Sequence, residues 1–237
     1  MGLLDRFRQE PAARSANVDT AVLRSNLIEY ILKVLTDRDG RVRAEDAISA
    51  AATVVAERCI DAAGNFDLRN HDFHSGSRVF SETANALFCG DVATDNLDEV
   101  PANSIIGILR SKLDPQTYTK DSFPALSSVF KGFASRVGDP KDWGKVPLSV
   151  PVENHPFVLP LKVGYETRAR VDEILMPIRS DKRLCLQVAV EALAAILNMI
   201  ASVMNPRIAL TLAIETVNGM MKTAPMTAKA LAEDQPT

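Results

Sequence analysis

The chain is poor in cysteine, in aromatic residues and in glycine. Its 237 residues hold three cysteines, one tryptophan, three tyrosines and 11 glycines. Cys59, Cys89 and Cys185 are odd in number and irregular in spacing, which excludes a disulfide framework. Cys59 and Cys185 lie in apolar stretches and read as small buried hydrophobes, consistent with a reducing, cytoplasmic setting. With aromatics at 5%, the core has to be built from Ala, Val, Ile, Leu and Met, which favours closely packed helices over a sheet sandwich. The glycines form neither Gly-x-Gly-x-x-Gly nor Gly-x-x-x-x-Gly-Lys, so no phosphate-cradling loop of those kinds is present and no cofactor is expected. Ser75-Gly76-Ser77 lacks the strand and the second glycine of a nucleophile elbow. An excess of one charge is also lacking: 27 Lys+Arg oppose 30 Asp+Glu, so neutralising phosphates is not the main task.

What is present is helical periodicity. From Asn17 to Thr36, Val18, Val22, Leu27, Ile31 and Leu35 recur on one face. Asp37-Arg38-Asp39-Gly40 ends that segment; it echoes a calcium loop but places Leu35 at the first ligand position, so it reads as a polar turn. A second helix is predicted from Ala44 to Ala63, with an Ala-rich face and Gly64 as its stop. Shorter helices are expected from Ser77 to Gly90, from Pro101 to Leu113, and from Asp121 or Ser122 to Gly138. Three more are expected over about Tyr165–Met176, Asp181–Met204 and Pro206–Met221, the last with Asn205 as N-cap. The fold class is therefore mainly α, a multi-helix bundle of seven or eight helices.

Five prolines between Asp139 and Gly164 interrupt this pattern. The alternations Val146, Leu148, Val150, Val152 and Phe157, Leu159, Leu161, Val163 predict a Pro-rich extended strap or a short β-hairpin around 146–163, turning at Glu153-Asn154-His155. The expected organisation is a flexible N-terminal tip at 1–16, a helical region at 17–138 and the Pro-rich segment at 139–164. A C-terminal helical region at 165–222 packs with the first as one domain, and 223–237 form a disordered tail.

Leu184–Met204 is apolar nearly all round and just long enough to span a bilayer, but Gln187, Glu191 and Asn198 oppose that placement. It is expected as the buried central helix of the bundle, or as an exposed face pairing two chains through Leu193, Leu197, Ile200 and Met204. Membrane contact is confined to a peripheral possibility at residues 1–8, where Leu3, Leu4 and Phe7 share a face.

Chemistry has few places to sit. His71, His74 and Cys89 are ligand types suited to zinc and include His-x-x-His spacing, although they match no established ligand pattern. Cys89 as a nucleophile is disfavoured by its place near a helix C-terminus. Arg168, Arg170, Arg179, Lys182 and Arg183 are interleaved with Glu166, Asp172, Glu173 and Asp181, which reads as an ion-paired face, and no nucleic-acid partner is expected. The acids between Asp67 and Glu99 put no two carboxylates on a common helical face, so no acid/base pair is drawn from them. The functional expectation is a non-enzymatic helical interaction or assembly protein, with a protein partner or a second copy of itself. The alternative is a small metal-dependent enzyme or metal-binding protein centred on His71, His74 and Cys89.

Overall fold

The computed structural model describes residues 18–64, 66–91, 94–136, 141 and 144–228. Among these residues the fold is mainly helical, with eight α-helices and no strand. In chain order they are α1 (Thr20–Leu35), α2 (Ala44–Ala63), α3 (Glu82–Cys89) and α4 (Ile105–Lys112). Then come α5 (Leu126–Ala134), α6 (Pro160–Ile174), α7 (Lys182–Ile200) and α8 (Pro206–Met220).

Local chemistry sets most of the boundaries. Asp19 caps α1 by accepting from the Ala21 N–H at 2.9 Å, in place of the expected Asn17, which lies outside the described residues. Asp181 accepts from the Leu184 N–H at 2.9 Å, and Asn205 caps α8 ahead of Pro206. Gly64 ends α2 in the left-handed region at φ 69°, where a side chain is strained. In the turn after α1, Asp37 Oδ1 accepts from the Asp39 and Arg41 N–H groups at 2.9 Å each, so this carboxylate organises a turn.

The centre of the bundle is α2. Every residue from Asp46 to Ile60 is buried, and α7, α8, α6, α3 and α1 all pack on it. Sequence periodicity assigns that place to Leu184–Met204, because that stretch is the most apolar. The structure assigns it to the Ala-rich helix because small side chains let five neighbours approach closely. The helix α7 is buried along most of its length but exposes Met199, with Val203 exposed just past its end.

A polar seam runs between α2 and α6. Arg168 donates to both carboxylate oxygens of Glu57 at 2.7–3.2 Å, and Arg58 Nη1 donates to Asp172 at 2.6 Å. The helices cross closely because Gly164 faces this seam: a Cβ there would lie 2.6 Å from Glu57 Oε1.

Among the described residues of 139–164, which are 141 and 144–164, the expected strap or hairpin is not formed as a single extended element. Lys145–Pro151 carries no regular element and lies along α8, where the Ser149 N–H donates to Glu215 at 2.8 Å and Val146 packs on Gly219. Val152–Asn154 is one 3-10 turn, and α6 begins at Pro160, inside the predicted second arm. The alternation Phe157, Leu159, Leu161, Val163 therefore straddles a loop and a helix start. Proline at the first helical position explains the shift: its missing N–H would be unbonded there in any case.

The expected disordered tail also differs over the part described. Thr223 and Ala224 are buried, and the chain pairs with 76–79: the Gly76 N–H donates to the Ala224 carbonyl and the Ala224 N–H to the Ser77 carbonyl, each at 2.8 Å. Residues 229–237, like the proposed tip at 1–16, lie outside the described residues.

Candidate functional site

The three candidate metal ligands sit in separate surroundings. His71 Nε2 is 3.2 Å from the Pro225 carbonyl, and its ring meets Phe66 edge-on at 5.3 Å. His74 is exposed in the turn that leads to Ser77. Cys89 is buried at the end of α3, with its sulfur 4.0 Å from the Gly90 carbonyl. Among the described residues no three His, Cys, Asp or Glu side chains group as a metal site. His71 instead fastens the C-terminal segment to the 66–77 loop.

The thiols are held in their neutral form. Burial pushes Cys59 up to about 12, and raises Cys89 and Cys185 as well. Beside Cys59 and Cys89 stands a buried cation, Lys222, pushed down to about 8 by desolvation. Its ammonium donates to Asn218 Oδ1 at 2.6 Å and lies 4.1 Å from the Phe130 ring centre.

The candidate interface residues divide sharply. Leu193 and Leu197 are 0% exposed inside the chain's own core, so neither is available to a second chain. Polar groups on the same helix are likewise used internally. Asn198 accepts from the Asp114 N–H and donates to the Lys112 carbonyl, Glu191 pairs with Lys112 at 3.1 Å, and the Tyr118 hydroxyl donates to the Leu197 carbonyl at 2.6 Å. The same helix is, by length and composition, apolar enough to cross a membrane, and 61% of its most apolar window is buried within the chain.

Ile200 and Met204 are different. With Leu32, Val42 and Ala47 they line a groove of about 510 Å³ at the end of the bundle where α1 and α7 finish and α2 starts. The loop after the 3-10 turn closes one side of it: Asn154 donates to Glu45, and Arg43 stacks 3.6 Å from the centre of the Phe157 ring. Asp46 Oδ1 holds this loop by accepting from the Phe157 and Val158 N–H groups at 2.7 and 3.1 Å. Val203, in the groove's lining, is 75% exposed, and Phe157, stacked on Arg43 at its edge, is 80% exposed.

Phe157 and Val203 are two of the three most exposed large apolar side chains among the described residues. Periodicity singles out Ile200 and Met204 but misses Phe157, which it assigns to an extended strap or short hairpin. The available signal was the pair Pro156 and Pro160 bracketing an apolar tripeptide, since prolines bound a short loop as readily as an extended arm.

Comparison with protein-family models, with curated proteins and with solved structures finds no match to this chain.

Proposed function

We propose that this is a non-enzymatic helical interaction protein, and that it self-associates through the apolar end of the bundle. The observation that carries this reading is the exposure of Phe157 and Val203 beside the groove lined by Ile200 and Met204. Soluble chains rarely leave large apolar side chains bare beside a groove unless something covers them. An isologous contact lays the same patch on itself, and Phe157 stacked under Arg43 is the kind of aromatic anchor that carries binding energy. The buried, neutral thiols support the non-enzymatic part of the reading, because the thiolate is the reactive form. Three buried free cysteines agree with a reducing, cytoplasmic location.

Light scattering from about 1 to 100 µM, a range in which specific dimers of this kind form, tests the proposal. A mass that rises to twice the chain mass, and that Phe157→Asp with Val203→Asp returns to one chain, is the expected result. A monomer throughout this range overturns self-association.

A further inference from the structure

At the other end of α2, about 20 Å along the helix from the apolar groove, four cations converge on one cleft of about 420 Å³. Arg58 comes from α2, Arg69 from the loop after it, Arg179 from the turn before α7, and Lys182 from the first turn of α7. Three carboxylates, Asp61, Asp67 and Asp172, share the cleft, which leaves a formal charge of +1.

The pairing inside the cleft is uneven. Lys182 is matched by Asp61 at 2.8 Å, and Asp67 accepts from the Arg69 backbone N–H at 2.8 Å. Arg58 and Arg69 both draw on the single carboxylate of Asp172. Arg179 has no ion pair among the described residues and is exposed. Arg58 is only 5% exposed; its Nη2 lies 3.9 Å from Glu57 and its Nη1 4.0 Å from Asp61, while its Nε and Nη2 make no hydrogen bond because Glu57 accepts from Arg168. The cations open to an incoming acceptor are therefore the exposed ones, Arg69, which shares Asp172, and Arg179. The remaining walls are apolar, formed by Leu68, Leu175 and Met176.

We propose that the cleft binds an organic phosphomonoester, with the phosphate between Arg69 and Arg179 and a compact apolar body against Met176, the exposed apolar side chain of the lining. The planar guanidinium matches two phosphate oxygens at once, and a dianion turns the cleft's formal charge from +1 to −1, so binding rests on these two-oxygen contacts, with Asp172 staying on Arg58. The site is independent of the apolar groove, so its failure and that of self-association are separately visible.

Titration calorimetry of the full chain at constant ionic strength tests it, with phenyl phosphate and inorganic phosphate as probes. The expected result is saturable one-to-one binding of phenyl phosphate, with inorganic phosphate at least about tenfold weaker. Arg179→Ala should weaken phenyl phosphate about tenfold or more while leaving the ligand-free melting temperature unchanged, as expected for loss of a charge-assisted bond at an exposed residue. Absence of saturation by either probe at tens of millimolar overturns the site. Equal affinity for the two probes overturns the organic body, and an isotherm unchanged in both Arg179→Ala and Arg69→Ala overturns the location.

Discussion

Arg168 on α6 and Glu57 on α2 form a charged pair closed off from solvent, with both side chains 6% exposed and the shortest N–O distance 2.7 Å. The same guanidinium also donates from Nη1 to the Leu68 carbonyl at 3.1 Å and to the Met226 carbonyl at 2.9 Å. One side chain thus ties together two helices, the loop after α2 and the C-terminal segment. Removing it strips the buried Glu57 carboxylate of its hydrogen bonds and leaves only Arg58 Nη2, 3.9 Å away, as a neighbouring cation. Arg168→Met should therefore cost about 3–5 kcal/mol in urea unfolding. It should also speed amide exchange at residues 223–227. A loss under about 1 kcal/mol, the size of a surface pair, would contradict this role.

Gly164 is the reason that pair can form. A methyl group there would sit 2.6 Å from Glu57 Oε1 and 3.1 Å from Thr53 Cγ2. A flexible carboxylate would swing aside, but Arg168 pins this one. Alanine gains about 1 kcal/mol of helix propensity over glycine. Overpacking costs about 1–3 kcal/mol, and the fixed partner puts this site at the upper end. Gly164→Ala should therefore lower the melting temperature in thermal unfolding. It should lower it less in an Arg168→Met background, where Glu57 is released. A stabilised Gly164→Ala protein would show that α2 and α6 are not in close contact there.

The helices were legible from the sequence because local signals agree with the fold at their ends: Gly64 stops α2, and Asn205-Pro206 opens α8. The centre of the bundle was not legible. Hydrophobicity ranks α7 above α2, whereas packing favours the helix with the smallest cross-section, and the alanines of α2 have little hydrophobic weight each. Polar residues in α2 concealed it further. Asp46, Thr53, Glu57 and Arg58 mimic a solvated stripe, and only their partners on the 157–172 segment show that it is an internal seam. The groove was half legible: Ile200 and Met204 follow from periodicity, while Phe157 comes from a loop whose side chains have no period to read.

Leu197 and Val203 lie six residues apart in sequence and should respond oppositely to aspartate. Leu197 is 0% exposed, so Leu197→Asp buries an unpaired charge, at a cost of several kcal/mol that a chain of this size does not tolerate. Circular dichroism should show an unfolded or aggregated protein. Val203 is 75% exposed, so Val203→Asp should leave the melting temperature within about 2 °C, the effect of a neutral surface change. The same substitution should reduce association in light scattering. A folded Leu197→Asp protein would place α7 outside the core.

Lys222 gives the fold a pH dependence of known sign. Its ammonium is buried beside Asn218, Phe130 and the Cys59 and Cys89 thiols, and desolvation lowers it from 10.5 to about 8. The folded state thus releases this proton more readily than the unfolded state does. Below pH 8 both states hold the proton, and burying the charge costs about 3 kcal/mol. Between pH 8 and 10.5 the unfolded chain binds more protons than the folded one, so this group's contribution to stability rises with pH. The raised thiols act oppositely above pH 9, since the unfolded chain ionises them first. A comparison with Lys222→Met cancels the burial of the thiols, which is common to both proteins, and keeps the lysine together with its charge effect on Cys59 and Cys89. Lys222→Met should be more stable than the native chain at pH 7 by about 1–3 kcal/mol, after loss of the bond to Asn218 is counted. That advantage should shrink steadily from pH 8 to 10. A stability difference that stays flat over this interval would mean that the amine reaches solvent.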